Sequence, residues 1–304
     1  MIDKKKLTAK DFDQKILELY DYYAHGKITK REFLKNIGKY TAVGVTAMSV
    51  FDSLSPNYAF AEQVSFNDPE IKANNITYDS PNGNGKIEGY YVKPANVTEK
   101  TAAVLVVHEN RGLNPYIKDV ARRVAKAGFI ALAPDGLSSI GGYPGNDADG
   151  KEMQGKIDRE KLLNDFFNGF EFLYNHSETT QKIGAVGFCY GGGVCNALAV
   201  AYPELSASVP FYGSQVNAED VPRIKSPLLL HFAELDERIN KGWPAYEEAL
   251  KINKKDYIAH IYKDCNHGFH NDSTPRYDEK NANLAWSRTI DFFNKNLLQF
   301  FLFN

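Results

Sequence analysis

The 304-residue sequence has little cysteine, no excess of either charge and no long hydrophobic run. Its three cysteines, Cys189, Cys195 and Cys265, are too few and too irregularly spaced for a disulfide framework or a zinc pattern, so a single reactive thiol becomes of interest. The net charge of -2 and the pI near 6.4 give no indication of the basic surface that nucleic-acid binding requires, so no nucleic-acid partner is expected. Repeats and low-complexity segments are also absent, and the 43% hydrophobic content predicts one large core.

Residues 1–61 differ from the rest and are predicted to form a helical N-terminal extension or an export signal. Apolar side chains recur at helical spacing over residues 8–26. A basic pair at residues 30–31, a modestly apolar run at 40–51 and an Ala-x-Ala motif at 59–61 follow in the order of a cleaved signal. This order predicts an exported or periplasmic protein.

The residues around the basic pair resemble a twin-arginine signal, although Lys30 takes the place of the first arginine. The alternative is a helical hairpin that stays on a cytoplasmic protein and packs against the main domain or a second subunit. The length of the first helix favours this alternative, as does Asp52, which interrupts the apolar run. That run is too short to cross a bilayer, so no stable membrane span is expected.

Residues 62–304 are predicted to form one α/β domain, with a mostly parallel sheet and helices on both faces. Residues 75–79 and 87–92 resemble an antiparallel pair joined by an Asn-Gly turn. The segment 134–155, rich in Gly, Asp and Ser, predicts a long loop. Further strands are expected at 102–107, 129–133, 183–188, 208–211, 228–232 and 257–262, and helices at 116–126, 157–174, 192–202, 245–252 and 286–297.

The segment 182–195, KIGAVGFCYGGGVC, predicts a buried strand, a tight turn and a helix. Strand, turn and helix around Gly-x-Cys-x-Gly are the context of a nucleophile elbow, here with cysteine in the place of serine. The turn strains the backbone and leaves no room for side chains two positions away, hence the glycines. Taken alone, the motif is equally compatible with Cys189 as a small buried side chain.

Two later strand ends supply the partners of such a nucleophile, in the chain order nucleophile, acid, histidine. Strand 228–232 is followed by Asp236 and strand 257–262 by His267, which brings both side chains to the sheet edge where Cys189 lies. A thiol is mostly protonated at neutral pH and needs a base. His267 is predicted to take its proton, and Asp236 to fix the imidazole.

Rival assignments exist for each partner. Glu234 or Asp264 could be the acid, and His270 or His231 the base, but His231 lies inside an apolar strand and resembles a core histidine. Cys195 is predicted to be a packing residue.

The oxyanion of the reaction also needs donors. The expected pair is the backbone N–H of Tyr190, directly after the nucleophile, and that of Asn110, in the loop after strand 102–107.

The Gly-Phe-Cys-Tyr-Gly-Gly elbow, His108 with Glu109, Asp236 and the His267-Gly-Phe run together resemble the dienelactone hydrolase (carboxymethylenebutenolidase) family of α/β-hydrolases, over roughly residues 71–298. The resemblance implies hydrolysis of a lactone or other ester through a thioester acyl-enzyme, without cofactor or metal. It further implies that Glu109 holds the resting thiol until substrate releases it. The alternative is that this glutamate only pairs with a nearby arginine, Arg111.

The chain departs from the family in the arginines that hold a substrate carboxylate. After the histidine it has His270 and Asn271, and before the elbow helix Arg159 is a loose candidate. Arg159 and Phe269 are therefore the candidate substrate-binding residues. Dienelactone itself is not expected to be the physiological substrate.

Two other functions fit the same residues. A thioesterase or acyl-transferase would use the same site, and a non-catalytic binding protein on this scaffold would have an unreactive Cys189. The expected partner is a small-molecule ester or lactone, and homo-oligomer formation remains open.

Overall fold

The computed structural model describes residues 7–40, 45–58 and 61–298. Their strands form one eight-stranded sheet. The strands are Ile71–Ser80 (β1), Gly85–Pro94 (β2), Thr101–Val107 (β3), Ile130–Pro134 (β4), Thr179–Phe188 (β5), Ala207–Phe211 (β6), Leu228–Ala233 (β7) and Tyr257–Tyr262 (β8). Their order across the sheet is β1-β2-β4-β3-β5-β6-β7-β8.

The first strands form an antiparallel edge on an otherwise parallel sheet. β1 pairs with β2, with Tyr78 opposite Ile87, which confirms the predicted hairpin. β2 is also antiparallel to β4, whereas the pairs from β4 to β3 and onward to β8 are parallel. The carboxyl ends of β3, β5, β7 and β8 therefore lie along one edge, where ligands bind in such folds.

Helices cover both faces of the sheet, as predicted. In β3, Val104 and Val106 point into one hydrophobic cluster and Leu105 into another, as the alternation of side chains along a strand requires. One face is covered by Pro115–Lys126 (α4) and Glu279–Leu297 (α10), and the other by Arg159–Asn175 (α6), Tyr190–Ala201 (α7) and Trp243–Ile252 (α9). The α/β-hydrolase fold predicted from the sequence is confirmed.

The prediction of a plain loop over residues 134–155 was wrong. This segment contains a 3-10 turn at Ser138–Ile140 and a helix at Asp147–Gln154 (α5). Asn146 caps the helix, and Asp147 forms a buried ion pair with Arg111 at 2.6 Å. The helix is stabilised by tertiary contacts and lacks an apolar stripe, so hydrophobic periodicity could not reveal it.

The described residues of the N-terminal extension form three α-helices, Gln14–Ala24 (α1), Lys30–Ile37 (α2) and Ala47–Leu54 (α3). They share a small core of their own, which includes Leu17, Phe33 and Phe51. The basic pair of the predicted signal occupies the first turn of α2, which Thr29 and Glu32 close with a capping box.

Two parts of the predicted signal, residues 41–44 and residues 59–60 of the Ala-x-Ala motif, lie outside the described residues. Among the residues that are described, none of the helices is both long and apolar enough to cross a membrane. A further short helix, Glu237–Asn240 (α8), follows β7 and borders the site described next.

Candidate active site

Cys189 occupies the sharp turn between β5 and α7, with φ +58° and ψ -113°. Such a conformation is costly for a residue other than glycine and persists only where the surroundings enforce it. A Cβ on Gly187 would lie 2.1 Å from the carbonyl oxygen of Gly191, and a Cβ on Gly191 would lie 2.3 Å from that of Val107. The two glycines therefore allow the turn to press the cysteine against the sheet edge, as an elbow requires.

The predicted acid and base are in direct contact. His267 Nδ1 lies 2.5 Å from Asp236 Oδ2, and both side chains are buried. Asp236 also accepts a hydrogen bond from the backbone N–H of Ile239 through its other oxygen, which fixes the carboxylate. The other ring nitrogen of His267, Nε2, is buried and has no hydrogen-bond partner among the described residues. Within the described residues, no protein group therefore competes with a substrate for that nitrogen.

The resting thiol contacts a histidine that the sequence did not single out. His25 Nε2 lies 3.0 Å from Cys189 Sγ. The imidazoles of His25 and His267 meet edge to face, with ring centroids 4.7 Å apart. One ligating atom from each of His25, Cys189 and His267 lies within 4.8 Å of the other two.

His25 is held in place by the end of α1. It is the C-cap residue, and Gly26 follows with φ +69°. The backbone N–H of Gly26 donates to the carbonyl of Tyr23 and that of Lys27 to the carbonyl of Tyr22, which is a Schellman motif. His25 Nδ1 also lies 2.8 Å from the carbonyl oxygen of Asp21, so Nε2 points towards the thiol.

An acid and an arginine complete this cluster. Asp21 forms an ion pair with Arg238 at 2.9 Å and approaches His25 Nδ1 at 3.1 Å. Burial alone would raise the pKa of Asp21, but the neighbouring His267, His25 and Arg238 hold it well below its usual range. Burial likewise opposes charge on His25, yet Cys189 and Asp21 raise the pKa of His25 above its ordinary value. Both shifts favour an ionised Asp21 and a protonated His25.

Arg238 approaches both imidazoles, at 3.1 Å from His25 Nε2 and 3.2 Å from His267 Nδ1. The hydrogen bond from His267 Nδ1 to Asp236 requires a proton on Nδ1. The guanidinium of Arg238 therefore meets another hydrogen-bond donor at this position, not an acceptor. Two imidazoles and a thiol are also a set of ligands that soft metal ions bind. The fixed positive charge of Arg238 beside two of them opposes a cation and favours a thiolate.

Glu109 is buried, and its Oε2 accepts a hydrogen bond of 2.9 Å from Asn271 Nδ2. Arg111, the alternative partner expected from the sequence, is instead paired with Asp147. The thiol of Cys189 is within hydrogen-bond distance of His25. A contact from Glu109 to Cys189 therefore stays a prediction, for another state of the site.

The two residues expected to supply the oxyanion donors line the same cavity as Cys189. Tyr190 is the first residue of α7, where a backbone N–H has no partner within the helix. Asn110 follows β3, and its side-chain amide donates to the carbonyl of Ala24 at 2.7 Å. The end of α1 is therefore bound directly to the loop that carries the second donor.

A cavity of about 720 Å³ opens beside Cys189. Arg159 lines it, in line with its candidate role in substrate binding. Phe269 does not: it is fully buried and packs against Tyr212 and Tyr262. The structure thus places Phe269 outside the cavity, contrary to the expectation, because its side chain anchors the loop that carries His267.

The rival residues have other partners. His231 is buried and lies within hydrogen-bond distance of the Tyr262 and Thr289 hydroxyls, and burial keeps its pKa well below the ordinary value. His270 meets the hydroxyl of Tyr116, and Glu234 accepts from the backbone N–H of Asp264. Cys195 is fully buried in the core.

Comparison with known proteins places this site in a family. The family model described as "Dienelactone hydrolase family" matches residues 87–297, more than half of the chain. The chain belongs to the dienelactone hydrolase family. It is therefore a hydrolase, as the resemblance of the elbow and its partners implied. A second family model, described as YqhI-like, matches residues 4–39, which include α1 and α2.

Individual relatives agree with this assignment. A provisionally named hydrolase fragment, YghX of Escherichia coli K12, is 69% identical over 114 residues, which are 38% of this chain and 97% of that protein. A provisionally named carboxymethylenebutenolidase of Saccharolobus solfataricus is 31% identical and matches 72% of this chain and 97% of its own. The fold matches a dienelactone hydrolase-like promiscuous phosphotriesterase, P91, from metagenomic libraries, with a TM-score of 0.65, 24% identity and coverage of 75% and 100%.

Proposed function

We propose that this hydrolase cleaves carboxylic esters or lactones through a thioester acyl-enzyme, with Cys189 as nucleophile, His267 as base and Asp236 as its partner. The observation that carries the proposal is the 2.5 Å contact between His267 and Asp236 beside a cysteine held at φ +58°. A buried carboxylate on Nδ1 leaves Nε2 as the nitrogen that exchanges protons with the reacting groups.

The reaction has two halves. In the first, the sulfur attacks the carbonyl carbon, the C–O bond breaks, and the thiol's proton ends on the leaving alkoxide. In the second, His267 takes a proton from water, the resulting hydroxide attacks the thioester, and the C–S bond breaks to release the acid. The backbone N–H groups of Tyr190 and Asn110 would stabilise the oxyanion in both halves.

The cavity favours a substrate that carries negative charge. Its charged lining residues are Lys27, Lys151, Arg159 and Arg238, and the described lining contains no aspartate or glutamate. A carboxylate elsewhere in the substrate would be attracted by this lining. An ester or lactone with an added carboxylate is therefore the proposed substrate class.

The direct test replaces Cys189 with alanine and measures hydrolysis of p-nitrophenyl acetate. We expect turnover to fall by about 10³-fold or more, because a covalent intermediate can no longer form. Cys195→Ala is the matched control, since this cysteine lies six residues further along the elbow helix and is fully buried. Full activity of Cys189→Ala would reject the proposal, and transfer of the acyl group to an acceptor other than water would favour an acyl-transferase.

Export with cleavage at Ala61 stays a prediction, and it would remove α1 together with His25. We propose instead that the extension is retained, because α1 is joined to the active-site loops through Asn110 and Arg238. The intact mass of the protein from its native host decides between the two: a chain that begins at Glu62 would reject retention.

A further inference from the structure

The extension supplies a side chain to the reacting atoms. We propose that His25 is a catalytic residue that takes the proton of the resting Cys189 thiol and returns it to the leaving alkoxide. The inference rests on the proposed function, since it assigns the first proton transfer to His25 and leaves the second, from water, to His267.

The contacts of the resting site distinguish the two histidines. Cys189 Sγ is within hydrogen-bond distance of His25 Nε2, at 3.0 Å. His267 Nε2 has no hydrogen-bond partner among the residues that the structure describes. The base nearest to the thiol proton is therefore His25, while His267 Nε2 has no protein partner to displace before the second proton transfer.

The surroundings of His25 resemble those of His267. His267 Nδ1 meets the carboxylate of Asp236, whereas His25 Nδ1 is hydrogen-bonded to the backbone carbonyl of Asp21 at 2.8 Å, with the carboxylate of Asp21 3.1 Å away. The carbonyl fixes the ring, and the nearby carboxylate stabilises the imidazolium that forms when Nε2 takes a proton. His25 therefore has both the geometry and the partner of a general base.

Two helix ends also favour the charges that this transfer creates. His25 caps the C-terminus of α1, where a positive charge is stabilised by the helix dipole. Cys189 caps the N-terminus of α7, where a thiolate is stabilised. An imidazolium at one end and a thiolate at the other is thus the favoured state.

The other charged groups around His25 and Cys189 act on both members of this ion pair. Arg238 lies 3.1 Å from His25 Nε2 and opposes the imidazolium, but its charge also favours the thiolate and is balanced in part by Asp21 at 2.9 Å. The remaining groups that face the pair are Asp236 and His267 from the strand-end loops, Tyr212 after β6, and Lys27 and Lys151 on the cavity wall.

Protons and electrons balance over the cycle. The S–H bond breaks, its electron pair stays on sulfur, and His25 gains the proton. The thiolate then forms the C–S bond as the alkoxide leaves with the proton from His25. Water later gives one proton to His267, thiolate is released, and the proton returns through solvent to His25.

The test measures alkylation of Cys189 by iodoacetamide, which reports thiolate independently of turnover. Peptide mass spectrometry separates Cys189 from Cys195 and Cys265. At about pH 6 we expect His25→Gln to react about tenfold more slowly than the unchanged chain, and at about pH 9.5 within about twofold of it, because the thiol then ionises without help. The burst of p-nitrophenol should slow by about 10²-fold, the usual contribution of a general acid–base group.

Two control variants separate an effect on proton transfer by His25 from an effect on the packing of α1 against the main domain. Gln14→Ala removes a 2.7 Å hydrogen bond to Asn266 at the other end of α1, and His176→Gln replaces a half-buried histidine at the C-terminal end of α6, away from the site. Both should alkylate within about twofold of the unchanged chain.

An unchanged rate for His25→Gln at about pH 6, or equal slowing by Gln14→Ala, would overturn the assignment. Faster turnover of His25→Gln would also overturn it, because α1 would then block the site. These outcomes leave the proposed function standing, whereas an active Cys189→Ala variant would reject that function alone.

Discussion

Two histidines approach the same sulfur from two parts of the molecule. His267 comes from the loop after β8, within the α/β domain, and His25 from the end of a helix in a separate three-helix extension. Each has its Nδ1 beside a carboxylate. The difference lies in their support: His267 lies on a loop that Phe269 anchors in the main core, whereas α1 to α3 pack around a small core of their own. The site thus combines a rigid part, on the main domain, with a part that the extension supplies.

The largest expected effect comes from the rigid part. His267→Ala should reduce kcat of ester hydrolysis by about 10³-fold or more, since the attack of water on the acyl-enzyme depends on this group. His25→Gln should cost less, about 10²-fold, with the loss confined to the burst. Steady-state and pre-steady-state kinetics measure both. If His25→Gln slowed the burst and the steady state by equal factors, the proposed distinction between the two histidines would be lost.

The two carboxylates give the next comparison. Asp236→Asn should lower kcat by about 10³-fold or more, because the amide favours the wrong tautomer of His267. Asparagine can still cap α8, so the fold is retained. Asp21→Asn should lower the burst rate by about tenfold, since Arg238 and His25 lose their shared partner. A larger fold loss in the burst rate of Asp21→Asn than in kcat of Asp236→Asn would reverse the proposed ranking.

Docking of the extension should depend on pH. The pKa of His25 is raised in the folded protein, so its contribution to docking is fully present below about pH 6.5 and is lost as the pH rises through the raised value. Hydrogen exchange in α1, corrected for its intrinsic pH dependence, should therefore accelerate on the alkaline side. The His25→Gln variant should lack this change, and its persistence there would assign the effect to another group.

The smallest effect concerns the helix end that holds His25. Gly26→Ala should destabilise docking of α1 by about 1 kcal/mol, because alanine is strained at φ +69° although space is available. Gly85→Ala is the matched control, with φ +92° and equal space in the β1–β2 turn. Both should lower the free energy of unfolding slightly, as seen by denaturant titration. A slower burst should appear only for Gly26→Ala.

The sequence predicts the rigid part of the site well. Cys189, Asp236 and His267 each follow an apolar strand, and parallel pairing fixes where strand ends meet. Packing of the extension against the main domain was one of the two alternatives, but its contact with the active site could not be predicted, since His25 and Cys189 are 164 residues apart and surface complementarity leaves no local pattern. Gly26 did mark the end of the helix, but nothing in the spacing showed what the residue before it would face. Phe269 was misplaced because adjacency to the histidine does not decide which way a side chain points.

The central claim is that Cys189 carries the acyl group. Rapid mixing with p-nitrophenyl acetate, acid quenching and peptide mass spectrometry test it most directly. The account predicts one acetyl group per chain on the peptide that contains Cys189, formed at the rate of the p-nitrophenol burst and lost at the steady-state rate. Turnover without an adduct on Cys189, or with the acetyl group on another residue, would contradict it.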